Sequence, residues 1–109
     1  MMPAADLLAT RERLLAGQTS PQAEIERAIA AASSGACRHA FVQADFDGAR
    51  AQAGTADPLR QPLAGLAVSV KDLFDVAGQV SRAGSIVLGD APPARQDAVA
   101  VARLRAAGA

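Results

Sequence analysis

Leu7, Leu8, Leu14 and Leu15 recur at helical spacing with Arg11, Glu12 and Arg13 between them, and Gly17 stands where such a helix would stop. The pattern predicts a short amphipathic helix. A second stripe, Ile25, Ala28, Ile29 and Ala32, follows Ser20 and Pro21. Ser20 offers an acceptor at the N-cap and Pro21 suits the first helical position, where its missing N–H costs nothing. This helix should end near Ser33-Ser34-Gly35. Ala40-Phe41-Val42 is read as a brief extended segment from its Phe and Val. Asp45 can cap a third helix with Phe46, Ala49 and Ala53 on one side, and residues 54–62 read as a connecting loop through Gly54, Pro58 and Pro62.

Leu66-Ala67-Val68-Ser69-Val70 is a mostly apolar run bounded by Gly65 and a charge pair, which predicts a strand covered on both faces. Beyond it, Gly78, Gly84, Gly89 and Pro92-Pro93 require a long, repeatedly turning segment from Asp72 to Asp97. Long loops of this kind usually serve a site. Asp97 is placed to cap a last helix carrying Ala98, Val101, Ala102 and Leu104, with Gly108 as its stop. The expected class is therefore α/β, with the sheet incomplete in this chain, because a βα pair cannot close a parallel sheet by itself. No internal repeat or second domain is visible.

Composition changes the picture in one respect. Apolar residues make up 50% of the 109, but alanine dominates them, and there are three Phe, no Trp and no Tyr. Alanine contributes little area at roughly 25 cal/mol per Å², so the core should be thin and the chain reads as a piece of a larger domain, marginal in stability alone. Eleven acidic and eleven basic residues cancel, so no net field recruits nucleic acid or an anionic membrane. Met1-Met2-Pro3-Ala4-Ala5-Asp6 has neither a charged leader nor an apolar core, and no run approaches the roughly 20 apolar residues of a membrane span. A cytoplasmic location is expected. Cys37, the single cysteine, cannot form an intrachain disulfide, in keeping with a reducing compartment.

Among residues that could carry chemistry, Lys71 stands out as the one lysine beside ten arginines, at the end of the apolar run and directly before Asp72. Arginine stays protonated in proteins, whereas a lysine taken into an apolar site can lose its proton and act as a base. The competing reading is a lysine that ends a strand and extends into water. Cys37 and His39 would share a face in an extended segment, but with no other cysteine or histidine they supply neither a zinc site nor an oriented dyad. Asp45 reads as a cap and Asp75 as a turn residue, so neither the pair Asp45/Asp47 nor the pair Asp72/Asp75 marks an acid/base site. The glycines after Lys71 form no phosphate loop. No metal and no cofactor is expected.

The ordered stretch Pro62-Leu63-Ala64-Gly65-Leu66-Ala67-Val68-Ser69-Val70-Lys71-Asp72-Leu73-Phe74-Asp75-Val76-Ala77-Gly78, extended by Ala83-Gly84-Ser85, closely resembles the N-terminal part of amidase signature family enzymes. Ala64 stands where histidine is frequent, Ala67 where proline is frequent, and Ser81-Arg82 where threonines are frequent; none of these removes a reacting group. The helix from Ser20, the Ala40-Phe41-Val42 segment and the Asp97 to Ala109 helix extend the likeness across the chain. The resemblance implies the N-terminal fragment of a fold with helices around a mixed sheet. On that reading residues 1–109 are a partial amidase domain: 1–53 mainly helical, 54–62 a loop, and 63–109 the strand, the catalytic-lysine loop and a helix.

It further implies a serine, cis-serine, lysine triad hydrolysing the C–N bond of carboxylic amides, with Lys71 matching the lysine that acts as general base through the bridging serine. Asp72 is expected to anchor local backbone rather than touch the Lys71 amine, since adjacent strand residues face opposite ways. In the family both triad serines lie downstream in a glycine-rich segment. Ser33-Ser34-Gly35 only mimics it, preceding the lysine and falling at a helix end. The 109 residues should therefore be inactive alone. Two alternatives remain: the A subunit of a glutamine-dependent tRNA amidotransferase, and a non-enzymatic remnant or assembly-dependent fragment. The partners implied are a small-molecule amide in the full-length enzyme, and a homo-oligomer or amidotransferase partner subunits, with no direct nucleic acid and no membrane.

Overall fold

The computed structural model describes residues 5–109, so Met1 to Ala4 of the expected leaderless N-terminus lie outside the described residues. Helix α1 spans Leu7–Leu15 and starts at Asp6, whose carboxylate accepts the Ala9 N–H at 2.8 Å. It stops as expected at Gly17, at φ +70°, where the Gln18 N–H donates back to the Arg13 carbonyl at 2.9 Å. Helix α2, Pro21–Ala32, begins with the Ser20 hydroxyl accepting the Ala23 N–H at 3.1 Å. One turn in, the buried Glu24 carboxylate accepts the Thr19 hydroxyl at 2.7 Å and pairs with Arg27 at 3.1 Å.

Helix α3, Phe46–Thr55, opens with Asp45 accepting the Gly48 N–H at 2.9 Å. It runs past Gly54, which the sequence places in the loop; the Thr55 hydroxyl donates to the Gln52 carbonyl at 3.0 Å and satisfies one of the last-turn acceptors. Helices α2 and α3 pack together, and Arg50 of α3 reaches Glu26 of α2 at 2.6 Å. The hydrogen bond from Arg50, aided by its charge, holds the Glu26 carboxyl below the usual glutamate range. This tie is present at neutral pH and is lost as falling pH passes through that lowered value.

The chain divides into two compact units, one running to Ala67 and taking in Ala107–Ala109, the other Val68–Ala106. Among the described residues of the first unit Leu14, Pro21, Ile29, Ala53, Ala64 and Leu66 are the buried apolar residues. Leu7 and Leu8, read from the sequence as part of the apolar face of α1, are 62% and 64% exposed. The core is as thin as the alanine-rich composition implies, and among the described residues no large side chain is fully buried. The Leu63 N–H donates to the Ala107 carbonyl at 2.8 Å and closes this unit. The second unit has Val101 as its buried apolar residue and ends in helix α4, Val99–Ala106.

Two sequence expectations are corrected. Among the described residues there is no strand, so neither Leu66 to Val70 nor Ala40-Phe41-Val42 is one. The physical reason is that a strand is defined by its ladder, and no second extended segment lies beside either run. Val68 and Val70, expected to be covered on both faces, are 47% and 40% exposed, and Phe41 and Val42 are exposed as well. The mixed sheet is accordingly not formed within these residues. Asp97 is the second correction: Ala98, whose carbonyl accepts the Ala102 N–H at 2.9 Å, holds the N-cap position of α4, while the Asp97 carboxylate is engaged elsewhere.

Gly65 shows what the motif contributes to packing. Its φ is +86°, and a Cβ there would lie 3.0 Å from a Leu14 methyl and 3.1 Å from Cγ of Pro21. Gly17 is also left-handed, but a Cβ there meets open space. Gly17→Ala should therefore cost only the backbone term, about 1 kcal/mol. Gly65→Ala should cost that and an overpacking term, together about 2 to 4 kcal/mol. Thermal or urea melts of the two variants check the order; equal losses would contradict it.

Candidate active site

Lys71 leaves the extended run and enters a tight turn, its carbonyl accepting the Leu73 N–H at 2.7 Å and the Phe74 N–H at 3.1 Å. These bonds fix the lysine backbone. The side chain is exposed, and among the described residues its amine has no hydrogen-bond or ion-pair partner. The enclosing apolar site that a lysine base requires is not supplied by the described residues. A general base also needs a proton donor within reach, and none of the six serines in the chain bonds to Lys71.

Asp72 does what the sequence led us to expect. One carboxylate oxygen accepts the Arg82 N–H at 3.0 Å and the other accepts the Gly84 N–H at 3.3 Å. Between these anchors the backbone reverses, with the Ser85 N–H donating to the Arg82 carbonyl at 2.8 Å and both central residues at positive φ, Ala83 at 50° and Gly84 at 71°. This is the dihedral pattern of a type I′ turn. The sequence predicts a turn at Gly84 but not this type, because Ala-Gly lacks the Asn-Gly or Asp-Gly signature that marks such turns.

Two further aspartates of the loop, Asp75 and Asp97, are also acceptors. Asp75 accepts the Ser81 hydroxyl at 2.7 Å through its carboxylate and the Ala98 N–H at 2.8 Å through its carbonyl. Asp97 accepts the Ala77 N–H at 2.8 Å and pairs with Arg105 of α4 at 2.8 Å. Gly78 and Ala94 add a direct backbone bond at 2.9 Å, and the Ala94 N–H returns to Gln79 at 2.9 Å. Ser85 accepts the Val87 N–H at 3.1 Å, and Ser81 gives its hydroxyl proton to Asp75 rather than to Lys71.

The remaining sequence candidates are not assembled into a site. Cys37 closes a 3-10 turn at Gly35–Cys37 and His39 lies in the following turn, so the extended geometry that would have put them on one face is absent. Ser33 ends α2 as its C-cap, and the Ser34 hydroxyl donates to the Ala31 carbonyl at 2.6 Å. Among the described residues no group of three or more His, Cys, Asp and Glu is placed to hold a metal ion. No described helix is long and apolar enough to cross a membrane.

A family model described as Amidase matches residues 23–109, a span that contains Lys71 and its whole loop. Over 105 residues the chain is 41% identical to the AtzE subunit of 1-carboxybiuret hydrolase from Pseudomonas sp. (strain ADP), a match that covers 90% of this chain and 23% of that protein. The A subunit of the glutamyl-tRNA(Gln) amidotransferase from Roseiflexus sp. (strain RS-1) is 43% identical over 75 residues, 64% of this chain and 15% of that protein. Among solved structures, that of a vestigial protein complex bearing on the evolutionary origins of an s-triazine catabolic enzyme superposes with a TM-score of 0.87 at 37% identity. It covers 95% of this chain and 24% of the other. The chain thus spans about a quarter of the solved chain it matches.

Ala83 sits at a φ of 50°, where an L side chain is strained and glycine is not. Ala83→Gly should raise stability by about 1 kcal/mol. Chemical denaturation of the variant beside the native chain measures it, and a loss of stability would contradict the turn.

Proposed function

Because the chain belongs to the amidase family, we propose that it supplies the lysine of an amide-hydrolysing site, with Lys71 as the general base of a serine, cis-serine, lysine triad. The match to the family across residues 23–109, with Lys71 inside it, carries this reading. The bridging and nucleophilic serines come from polypeptide outside these 109 residues. In the reaction the neutral Lys71 amine takes a proton from the bridging serine, which takes one from the nucleophile as that oxygen bonds to the amide carbon. Collapse of the tetrahedral intermediate breaks the C–N bond, the proton passes to the departing nitrogen, and water then releases the acyl group.

Two features support the assignment. The amine is free of any carboxylate, since Asp72 is committed to Arg82 and Gly84. The exposed side chain, together with the exposed Val68 and Val70 before it, leaves Lys71 open to residues from further chain. Enclosure by those residues would remove the amine from water and favour its neutral form.

A second reading, the A subunit of a glutamine-dependent tRNA amidotransferase, is favoured by the 43% identity to a protein of that kind. It differs from the first in substrate, glutamine, and in needing partner subunits to receive the ammonia. The two readings place the same chemistry on Lys71.

The test joins these 109 residues to the rest of AtzE in place of the 23% they match, and measures ammonia release from linear amides and from glutamine. The separate 109-residue chain should give none above background. The joined chain should release ammonia, and Lys71→Ala should lower kcat by about a thousandfold or more, as loss of one member of a coupled unit does. A joined chain that fails to fold, one that folds and releases no ammonia, or one indifferent to Lys71→Ala would each contradict the assignment.

A further inference from the structure

The geometry points to Asp72 as a positioning residue for Lys71, an inference that rests on the reading of Lys71 as the base. A lysine carries its amine on four methylenes, so the precision of a lysine base begins at its Cα. There the structure places restraints on both sides of the Lys71–Asp72 peptide. The Lys71 carbonyl is held by Leu73 and Phe74, at 2.7 and 3.1 Å. The Asp72 carboxylate is held by Arg82 and Gly84, at 3.0 and 3.3 Å, across ten and twelve residues of chain. These longer bonds are the ones that tie the lysine turn to the rest of its loop.

Chemistry adds a second reason. An aspartate adjacent in sequence to a lysine is the nearest available counter-ion, and a carboxylate beside an amine favours the charged form, the opposite of what a base needs. Asp72 makes no ion pair with Lys71; both of its oxygens take backbone N–H groups instead. The turn that donates them is itself strained at Ala83, at φ 50°, so the carboxylate holds a backbone shape that the local sequence does not favour. The same interaction thus anchors the lysine and shapes the Arg82 to Ser85 turn.

In the joined enzyme described above, Asp72→Ala should lower kcat per titrated active site by about tenfold or more with KM nearly unchanged, because misplacing a reacting group by about 1 Å costs on that scale. Asp72→Asn keeps one acceptor oxygen and should fall between Asp72→Ala and the native enzyme. Asp90→Asn, which removes an exposed aspartate with no bonded partner for its side chain, should leave kcat unchanged. A purely structural Asp72 would lower the fraction of folded sites and leave kcat per site intact, which would overturn the proposal.

A measurement independent of activity uses the 109-residue chain: backbone 15N order parameters. In Asp72→Ala they should drop at Lys71, Arg82 and Gly84 and hold at Ala77, which is tied to Asp97. Unchanged values at Lys71 would overturn the proposal, as would native kcat per site in Asp72→Ala when Lys71→Ala is inactive. If Lys71→Ala itself keeps full activity, the base assignment fails with the clamp still measurable by relaxation.

Discussion

Backbone N–H groups in a loop must find acceptors, and in residues 68–106 aspartate carboxylates supply them at Ala77, Arg82 and Gly84, beside the backbone carbonyls that serve elsewhere. Asp72 takes Arg82 and Gly84, and Asp97 takes Ala77 while pairing with Arg105; Asp75 takes the Ser81 hydroxyl and, through its carbonyl, the Ala98 N–H. With Val101 as the buried apolar residue of this unit, hydrophobic area cannot hold the segment in shape. Charge-assisted hydrogen bonds can, because they are directional and roughly twice as strong as neutral ones. A long loop with no sheet of its own keeps a defined course, and Lys71 stands at the start of it.

The first unit follows a different rule. Its helices are set by caps at Asp6, Ser20 and Asp45 and pressed together over a few small side chains, with Gly65 allowing the chain to pass close to Leu14 and Pro21. Gly108 serves the same end: its φ is +99°, and a Cβ there would lie 3.0 Å from Cα of Ala64. An alanine-rich core gains its packing from close backbone approach rather than from bulk. The motif residues Ala64 and Gly65 are therefore structural, whereas Lys71 and Asp72, a few residues on, are the residues to which the proposed chemistry and its support are assigned.

Much of this was legible in the sequence where the signal is local. The caps Ser20 and Asp45, the stop at Gly17 and the helix from Pro21 all rest on interactions within a few residues, and each is found in the structure. What failed was non-local. Leu66 to Val70 has the composition of a strand, but pairing depends on a partner that composition cannot supply. Asp97 has the spacing of a cap, yet Ala77, twenty residues away, and Arg105 compete successfully for its oxygens. Asp72 anchors backbone as expected, although the strand alternation behind that expectation is absent, while the left-handed Ala83 carried no sequence mark.

Carboxylates, more than apolar burial, organise the loop that bears Lys71. Amide hydrogen exchange of the native chain reads this residue by residue. The amides of Ala77, Arg82 and Gly84 should be slowed by about tenfold or more relative to their intrinsic rates, while those of Ser69 and Val70, which have no partner among the described residues, exchange freely. Protection confined to α4, with Ala77, Arg82 and Gly84 exchanging as fast as Ser69, would contradict it.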